Sequence, residues 1–300
     1  MSGANAAYAT MPAIPASPPR VGLLASALRP DTAPERWQNG IQIVPEDCIP
    51  GVGSEAEPPA WWCHDEVDGS PSDAMAWPMH PEPVFYRPWF ARVGITCATT
   101  AFDAGDYQGR ARRKYLASES RLIERELWSG RVAQAAGFPN RYLTQLDSVE
   151  LLAEQPLTSA LALLQLYLAD RTHGRGMIHA TPRTVSFWQH AGMLRREGNL
   201  ILDVFDNIIV PGQGYYGSGP DTMQPLVPGV IEWAYATSMI VVLTEPSVTV
   251  IPDQPSEAID RDRDRVAYQA GRVVAAFWDG CAHAAVPVNL CEMHCTPPGS

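Results

Sequence analysis

Fourteen of the chain's 28 prolines fall within residues 1–83, and that placement limits what the first quarter of the molecule can become. Proline fixes φ and removes a backbone donor, so segments such as MPAIPASPPR and GSEAEPPAWW cannot sustain long helices or central strands. The same stretch carries Trp37, Trp61, Trp62 and Trp77, which a freely solvated tail has little use for. The composition predicts an extended arm that lies down on its own chain or on a neighbour.

The remainder is rich enough in apolar residues to build a core. The 300-residue chain is 46% hydrophobic and 18% charged, as a globular protein is. Its net charge of −11 argues against a general nucleic-acid binder, which needs a basic face to neutralise phosphates. A shell that encloses nucleic acid without gripping it tolerates such a balance. Lys114 is the single lysine among 22 basic residues. A GC-rich coding bias accounts for this, and arginine forks make bidentate interface contacts that lysine does not. The six cysteines, Cys48, Cys63, Cys97, Cys281, Cys291 and Cys295, contain no CxxC pair. No secretory signal or membrane span is visible, so reduced thiols in a cytoplasmic setting are expected. CEMHC, with His294 between Cys291 and Cys295, lacks the second ligand pair that a zinc site needs.

From Val84 the texture changes to VFYRPWFARVGITCATTAF, β-branched and aromatic, which reads as extended structure. A helix is predicted over Gly109–Ser129, with an apolar stripe of Leu116, Ile123 and Leu127 beside Tyr115 and Leu122, and Gly130 as its left-handed cap. Arg121 and Glu124 are placed to pair on its outer face. Leu157–Asp170 reads as a helix apolar almost all round, and Pro182 opens a third helix. GMIHA and NLILDVFDNIIV supply short strands. EWAYATSMIVVL and SVTVIPD suggest a hairpin turned at Glu245–Ser247, and RVAYQAGRVVAAFWDGCAHAAVPVN alternates as a strand, with a helix as the alternative for its first half. Helices and strands without regular β-α alternation make the class α+β.

The candidate chemistry is thin. Gly212, Gly214 and Gly217 satisfy GxGxxG after a strand, with Glu232 at the distance of a ribose contact. The next residues, SGPDTMQPLVPG, cannot start the helix that pyrophosphate binding requires, so a mobile surface loop containing Tyr215 and Tyr216 is expected. His179 reads as a hydrogen-bonded structural residue. Cys281 and His283 would share one strand face, the one arrangement suggesting a nucleophile. Ser218 lies in GSG, outside a nucleophile elbow. No enzyme constellation emerges, and no cofactor or metal is implied. Two charge runs stand out as interface strips: Arg110, Arg112, Arg113 and Lys114 in one, and Asp260, Arg261, Asp262, Arg263, Asp264 and Arg265 in the other. In the second, an extended chain would put arginines on one face and aspartates on the other. Arg195, Arg196 and Glu197 form a weaker third.

Taken together, ARRKYLASESRLIERELWSG, GMIHATPRTVSFWQ, LRREGNLILDVFDNIIVPGQGYYGSGP, EWAYATSMIVVL and VAYQAGRVVAAFWDGCAHAAVPV resemble major capsid proteins of tailed bacteriophages with the Hong Kong 97-like fold, particularly those of phages of actinobacteria. Encapsulins are more distantly similar. The resemblance implies an N-terminal arm (1–83), an E-loop (84–108), a peripheral domain with a long spine helix (109–156), an axial domain (157–251), a returning peripheral strand (252–290) and a tail (291–300). It places Gly212, Gly214, Tyr215, Tyr216 and Gly217 in an axial loop. It implies a structural protein of the virion, assembled in the host cytoplasm, whose partner is itself, as pentamers and hexamers. Portal, scaffolding and decoration proteins, and weak non-specific contact with packaged double-stranded DNA, complete the implied partners. A minor capsid or encapsulin-like shell protein is the alternative. Some members of the fold join subunits by lysine–asparagine bonds; with Lys114 alone, a non-covalent shell is expected.

Overall fold

The computed structural model describes residues 21–31, 33–45, 83–98, 106–172, 174–220 and 230–291. Expectations for Trp61, Trp62, Trp77, His294 and the proline-rich runs lie outside the described residues. In chain order the elements are α1 (Leu23–Ser26), β1 (Ile41–Ile43), β2 (Val84–Tyr86), β3 (Trp89–Ala98), α2 (Tyr107–Ser129), α3 (Arg131–Ala136), β4 (Glu150–Leu151), β5 (Gln155–Pro156) and α4 (Leu157–Arg171). Next come β6 (Met177–Ala180), α5 (Pro182–His190), β7 (Arg195–Glu197), β8 (Leu200–Leu202), β9 (Ile208–Pro211), β10 (Ile231–Thr237) and β11 (Val241–Thr244). The chain closes with β12 (Thr249–Ile251), β13 (Ile259–Asp260), β14 (Arg265–Phe277) and β15 (His283–Asn289). The described residues form two units: a smaller one of 92–98, 106–118 and 248–271, and a larger one of 21–31, 33–45, 83–91, 119–172, 174–220, 230–247 and 272–291.

The larger unit is built on a sheet of order β4-β15-β10-β6-β9-β8-β7, with β5 also on β15. Strands β6, β9 and β15 are buried along nearly their whole length, as strands covered on both faces are. Alternation sorts their side chains. Ile178, Ala180, Ala234, Ala236, Val286 and Val288 join Leu161, Leu164 and Leu168 of α4 and Val185 and Trp188 of α5 in one core cluster. His179 and Tyr235, paired in register, turn to the opposite face, where Trp128 from the end of α2 lies edge-on to Tyr235 at 4.8 Å. Each such large apolar side chain contributes about 1.5–3 kcal/mol on burial. A second cluster packs Trp37, Val84 and Tyr86 against Leu243, Ala275 and Phe277, so the first tryptophan of the arm does lie on its own chain.

In the smaller unit, β12, β13 and β3 pair with β14. Tyr107 stacks on Tyr268 at 6.5 Å, and the Lys114 ammonium donates to the Gly94 carbonyl at 3.0 Å. Asp106 Oδ1 accepts from the Gly109 amide at 2.7 Å, which explains why α2 starts slightly earlier than expected.

Several expectations are corrected. The buried stripe of α2 runs through Ala111, Tyr115, Ile123, Leu127 and Trp128, while Leu116 is 44% exposed. Glu124 faces inward, so it does not pair with Arg121 on the outer face. Helix α4 is buried on one side only: Leu166 is 58% exposed, because a sheet covers one face of a helix and apolar composition does not make a second cover. The hairpin at Glu245–Ser247 does not form, since β11 and β12 both pair with β14, which lies between them. The end of the chain is two strands; β14 serves one sheet and β15 the other, beside β10. Asp260–Arg265 is no extended two-faced strip. Asp260 pairs with Arg265 across a tight exposed turn in which Asp264 has φ 50°.

Candidate functional site

Helix α2 gathers the residues singled out in the sequence. Its last turn ends at Gly130 with φ 58°, and Glu126 bridges the break by accepting from the amides of Val132 and Ala133, both at 2.8 Å. One turn earlier, Glu124 is a buried carboxylate. Its Oε1 accepts from the Leu23 amide and the Ser120 hydroxyl, each at 3.0 Å, and its Oε2 from the Gly214 amide at 2.9 Å. Burial pushes its pKa up, against the pull of those donors. Three separate segments thus converge on one side chain: α1, α2 and the glycine loop.

The glycine loop is therefore not the surface loop expected. Gly212, Gly214, Tyr215 and Gly217 are buried, and only Gln213 and Tyr216 are exposed. A Cβ on Gly214 would stand 2.5 Å from the Arg121 carbonyl oxygen, so glycine is what allows the loop to lie on the helix. Tyr216 is covered by Arg125, whose Nε donates to its hydroxyl at 2.5 Å, and Trp128 donates to Ser218 at 3.0 Å. The amide of Gly214, which a phosphate would need, already serves the Glu124 carboxylate. Glu232, placed by spacing near a ribose, instead accepts from the hydroxyls of Thr181 and Thr184 at the start of α5.

The nucleophile idea fails on two counts. Cys281 and Cys291 are disulfide-bonded, which corrects the expectation of reduced thiols; Cys97 is free. His283 is buried, its ring nitrogens on Ser148 at 3.2 Å and the Leu143 carbonyl at 3.0 Å, and burial holds its pKa down to about 4. A disulfide-bonded Cys281 offers no thiolate, and a buried His283 with both ring nitrogens engaged is not free to take a proton from one. His179 is structural, as expected: it bonds Tyr215 at 2.8 Å and Thr237 at 3.0 Å, with its pKa lowered by burial to about 3. Among the described residues no group of three His, Cys, Asp or Glu could hold a metal ion, and no helix is long and apolar enough to cross a membrane.

The charged runs remain on the surface. Arg110 sits over the Tyr107 ring, Arg113 pairs with Asp106 at 3.2 Å, and Arg112 is exposed. Arg261, Asp262, Arg263 and Asp264 are all exposed at the tip of the β13–β14 turn.

No protein-family model matches the chain, and no curated sequence does. Solved structures do. A chain from Microbacterium phage Oxtober96 is 12% identical, with 96% of each chain covered and a TM-score of 0.51. A chain from the capsid of an empty GTA particle is 11% identical, covering 96% of this chain and 94% of the other, also at 0.51. The fold is that of the Hong Kong 97-like capsid proteins.

Within this Hong Kong 97-like fold, two features escaped the sequence reading. One is the Glu124 junction, which no motif announces, because two of its three donors are backbone amides 101 and 90 residues away in the chain. The other is the turn Asp203–Asn207, where Val204 and Phe205 are 68% and 69% exposed. The signal available was DVFDN itself: two large apolar residues between groups that form tight turns.

Proposed function

We propose that this chain is a capsid shell subunit that self-assembles into pentamers and hexamers of an icosahedral particle enclosing double-stranded DNA. The observation that carries this is the match in fold along almost the whole chain to a capsid chain of a GTA particle and to a phage chain. Likeness at this level of identity concerns the fold, and the assembly is the reading built on it.

In this reading α2 is the spine helix. Val84–Gln108 is the E-loop segment and Leu157–Ile251 supplies most of the axial domain, with β15 completing its sheet. The outward face of α2, with Arg110, Arg112, Arg113, Arg121 and Arg125 exposed, and the turn Asp260–Arg265 are where neighbouring subunits meet. Many modest contacts of this kind per subunit add up through multivalency. The single lysine, Lys114, is engaged by Gly94 in its own unit, which favours a shell without lysine–asparagine links. The reading puts the protein in the virion, assembled in the host cytoplasm, with portal, scaffolding and decoration proteins as further partners.

Electron microscopy of the purified, overexpressed chain tests the proposal. Closed shells or five- and six-fold rings are expected. A protein that stays monomeric in sedimentation at high concentration would sink it.

A further inference from the structure

The large sheet has two outer edges, and they differ in charge. At one, β7 pairs only with β8 among the described residues and carries Arg195, Arg196 and Glu197, all exposed; Arg175 lies nearby, and Asp206 pairs with both Arg195 and Arg175, so three arginines outnumber two carboxylates. At the other, β4 and β5 pair only with β15 among the described residues, and the exposed side chains around them include Asp147, Glu150 and Glu154; Arg171 pairs with Glu150 at 3.0 Å, which leaves three carboxylates against one arginine. Each edge also shows apolar surface. Leu146 and Leu151 lie exposed beside the acidic edge, and Val204 and Phe205 stand beside the basic one.

The second pair is held outward by the fold. Asp203 is fully buried; its Oδ1 accepts from the amides of Phe205 at 2.8 Å and Asn207 at 2.9 Å. Its Oδ2 accepts from Gln165 at 3.0 Å and the Asn207 side chain at 2.9 Å. Asp206 in the same turn pairs with Arg195 of β7, which ties the turn to that edge. Phe205 also walls a cleft of 390 Å³ with Ala162, Leu166 and Ala169, so the apolar surface continues onto α4. A buried carboxylate with four donors fixes a turn whose two apolar tips face water. Such rigid, solvent-facing apolar groups are the mark of a docking surface.

We propose that the β7 edge with the Val204–Phe205 turn of one copy docks against the β4–β5 edge of the next copy, head to tail. The inference rests on the shell-subunit reading and names the surfaces it uses. Opposite charge at the two edges sets the order of the copies, and the apolar tips supply the desolvated centre of the contact. A contact between two different patches repeats around a ring, which a self-complementary patch does not.

The test compares four variants with the wild-type chain by sedimentation velocity and electron microscopy, with thermal unfolding as the control for folding. Phe205→Ser removes the apolar tip. Arg196→Glu and Glu154→Arg each place like charges at the contact; neither side chain belongs to the core, since Arg196 bonds to the Gly198 carbonyl and Glu154 to Asn289, all at the surface. The fourth variant combines both reversals and restores opposite charge with its sign exchanged. Each single substitution is expected to raise the concentration needed for assembly about tenfold or more, the equivalent of ~1.4 kcal/mol per contact. The combined variant is expected to recover assembly, and all four to unfold at the wild-type temperature. Single variants that assemble like the wild type, or a combined variant no better than either alone, overturn the inference while wild-type particles leave the shell reading standing. A wild-type chain that forms no rings or shells overturns both.

Discussion

His179 and His283 both lie buried on the α2 side of the large sheet, and the cost of charging them there gives the fold a pH dependence. Their folded pKa values, about 3 and about 4, lie below the ordinary 6.5. Their contribution is therefore present above pH 6.5 and is lost as pH falls toward those values. Each removes up to ~1.4 kcal/mol of stability per pH unit within that window. Glu124 works in the opposite sense. Its pKa is raised by burial, so its contribution is full below the ordinary carboxylate value and is lost as pH rises through the raised one. Urea unfolding at several pH values between about 7 and 4 separates the two. Replacing His179→Gln is expected to reduce the acid-side slope by about one proton's worth, whatever it does to stability near neutral pH. An unchanged slope would show that His179 is charged in the folded state. At this scale the sequence was a partial guide. His179 was legible as structural because an isolated histidine between a strand and a helix has backbone and hydroxyl partners close by. Glu124 was not, because helical spacing equally allows an outward pair with Arg121, and only the approach of Gly214 and Leu23 turns it inward.

Helix α2 shows how far periodicity carries at the scale of an element. Its existence, its length and its stop at Gly130 come from the residues alone, and the described helix, Tyr107–Ser129, begins only slightly before the expected start at Gly109. Which of its leucines are buried is another matter. Leu116 and Ile123 both fit an apolar stripe of heptad spacing, yet one is exposed and the other is fully covered. Ile123 and Leu127 belong to the larger unit, where neighbouring Trp128 packs on Tyr235 of β10, a strand distant in the chain, and Leu116 belongs to the smaller unit. Ile123→Ala is expected to destabilise the chain by about 2–4 kcal/mol, whereas Leu116→Gln stays within about 0.5 kcal/mol. Urea denaturation of the unassembled subunit measures both, and equal losses would restore the stripe expected from spacing. Helix α4 makes the same point. Its composition is apolar on every side, but one sheet covers one face, and Leu166 remains open to solvent.

For the whole molecule, the cysteines give the sharpest contrast between chain and fold. With no secretory signal visible, the sequence pointed to reduced thiols, but disulfides join positions that are near in space, and sequence spacing is silent about that. In the unfolded, unreduced chain, Cys97 is expected to react with iodoacetamide, while Cys281 and Cys291 react only after reduction; peptide mass spectrometry reads all three. Loss of the disulfide bonding at Cys281 and Cys291 should lower stability by roughly 2–4 kcal/mol per bond. Labelling of either residue without reductant would contradict their pairing. The sequence by itself determined the α+β class, the long capped helix, the strand segments and, through several such segments in one order, the likeness to a capsid fold. Those features depend on local backbone preference and on periodicity, which neighbouring residues carry within themselves. Only the tertiary structure decided that β14 and β15 serve different sheets, that the glycine loop lies on α2, and that Asp203 holds Phe205 in the solvent. Each of these depends on which distant segments meet, and that is settled by packing and by the pairing of buried polar groups across the whole chain.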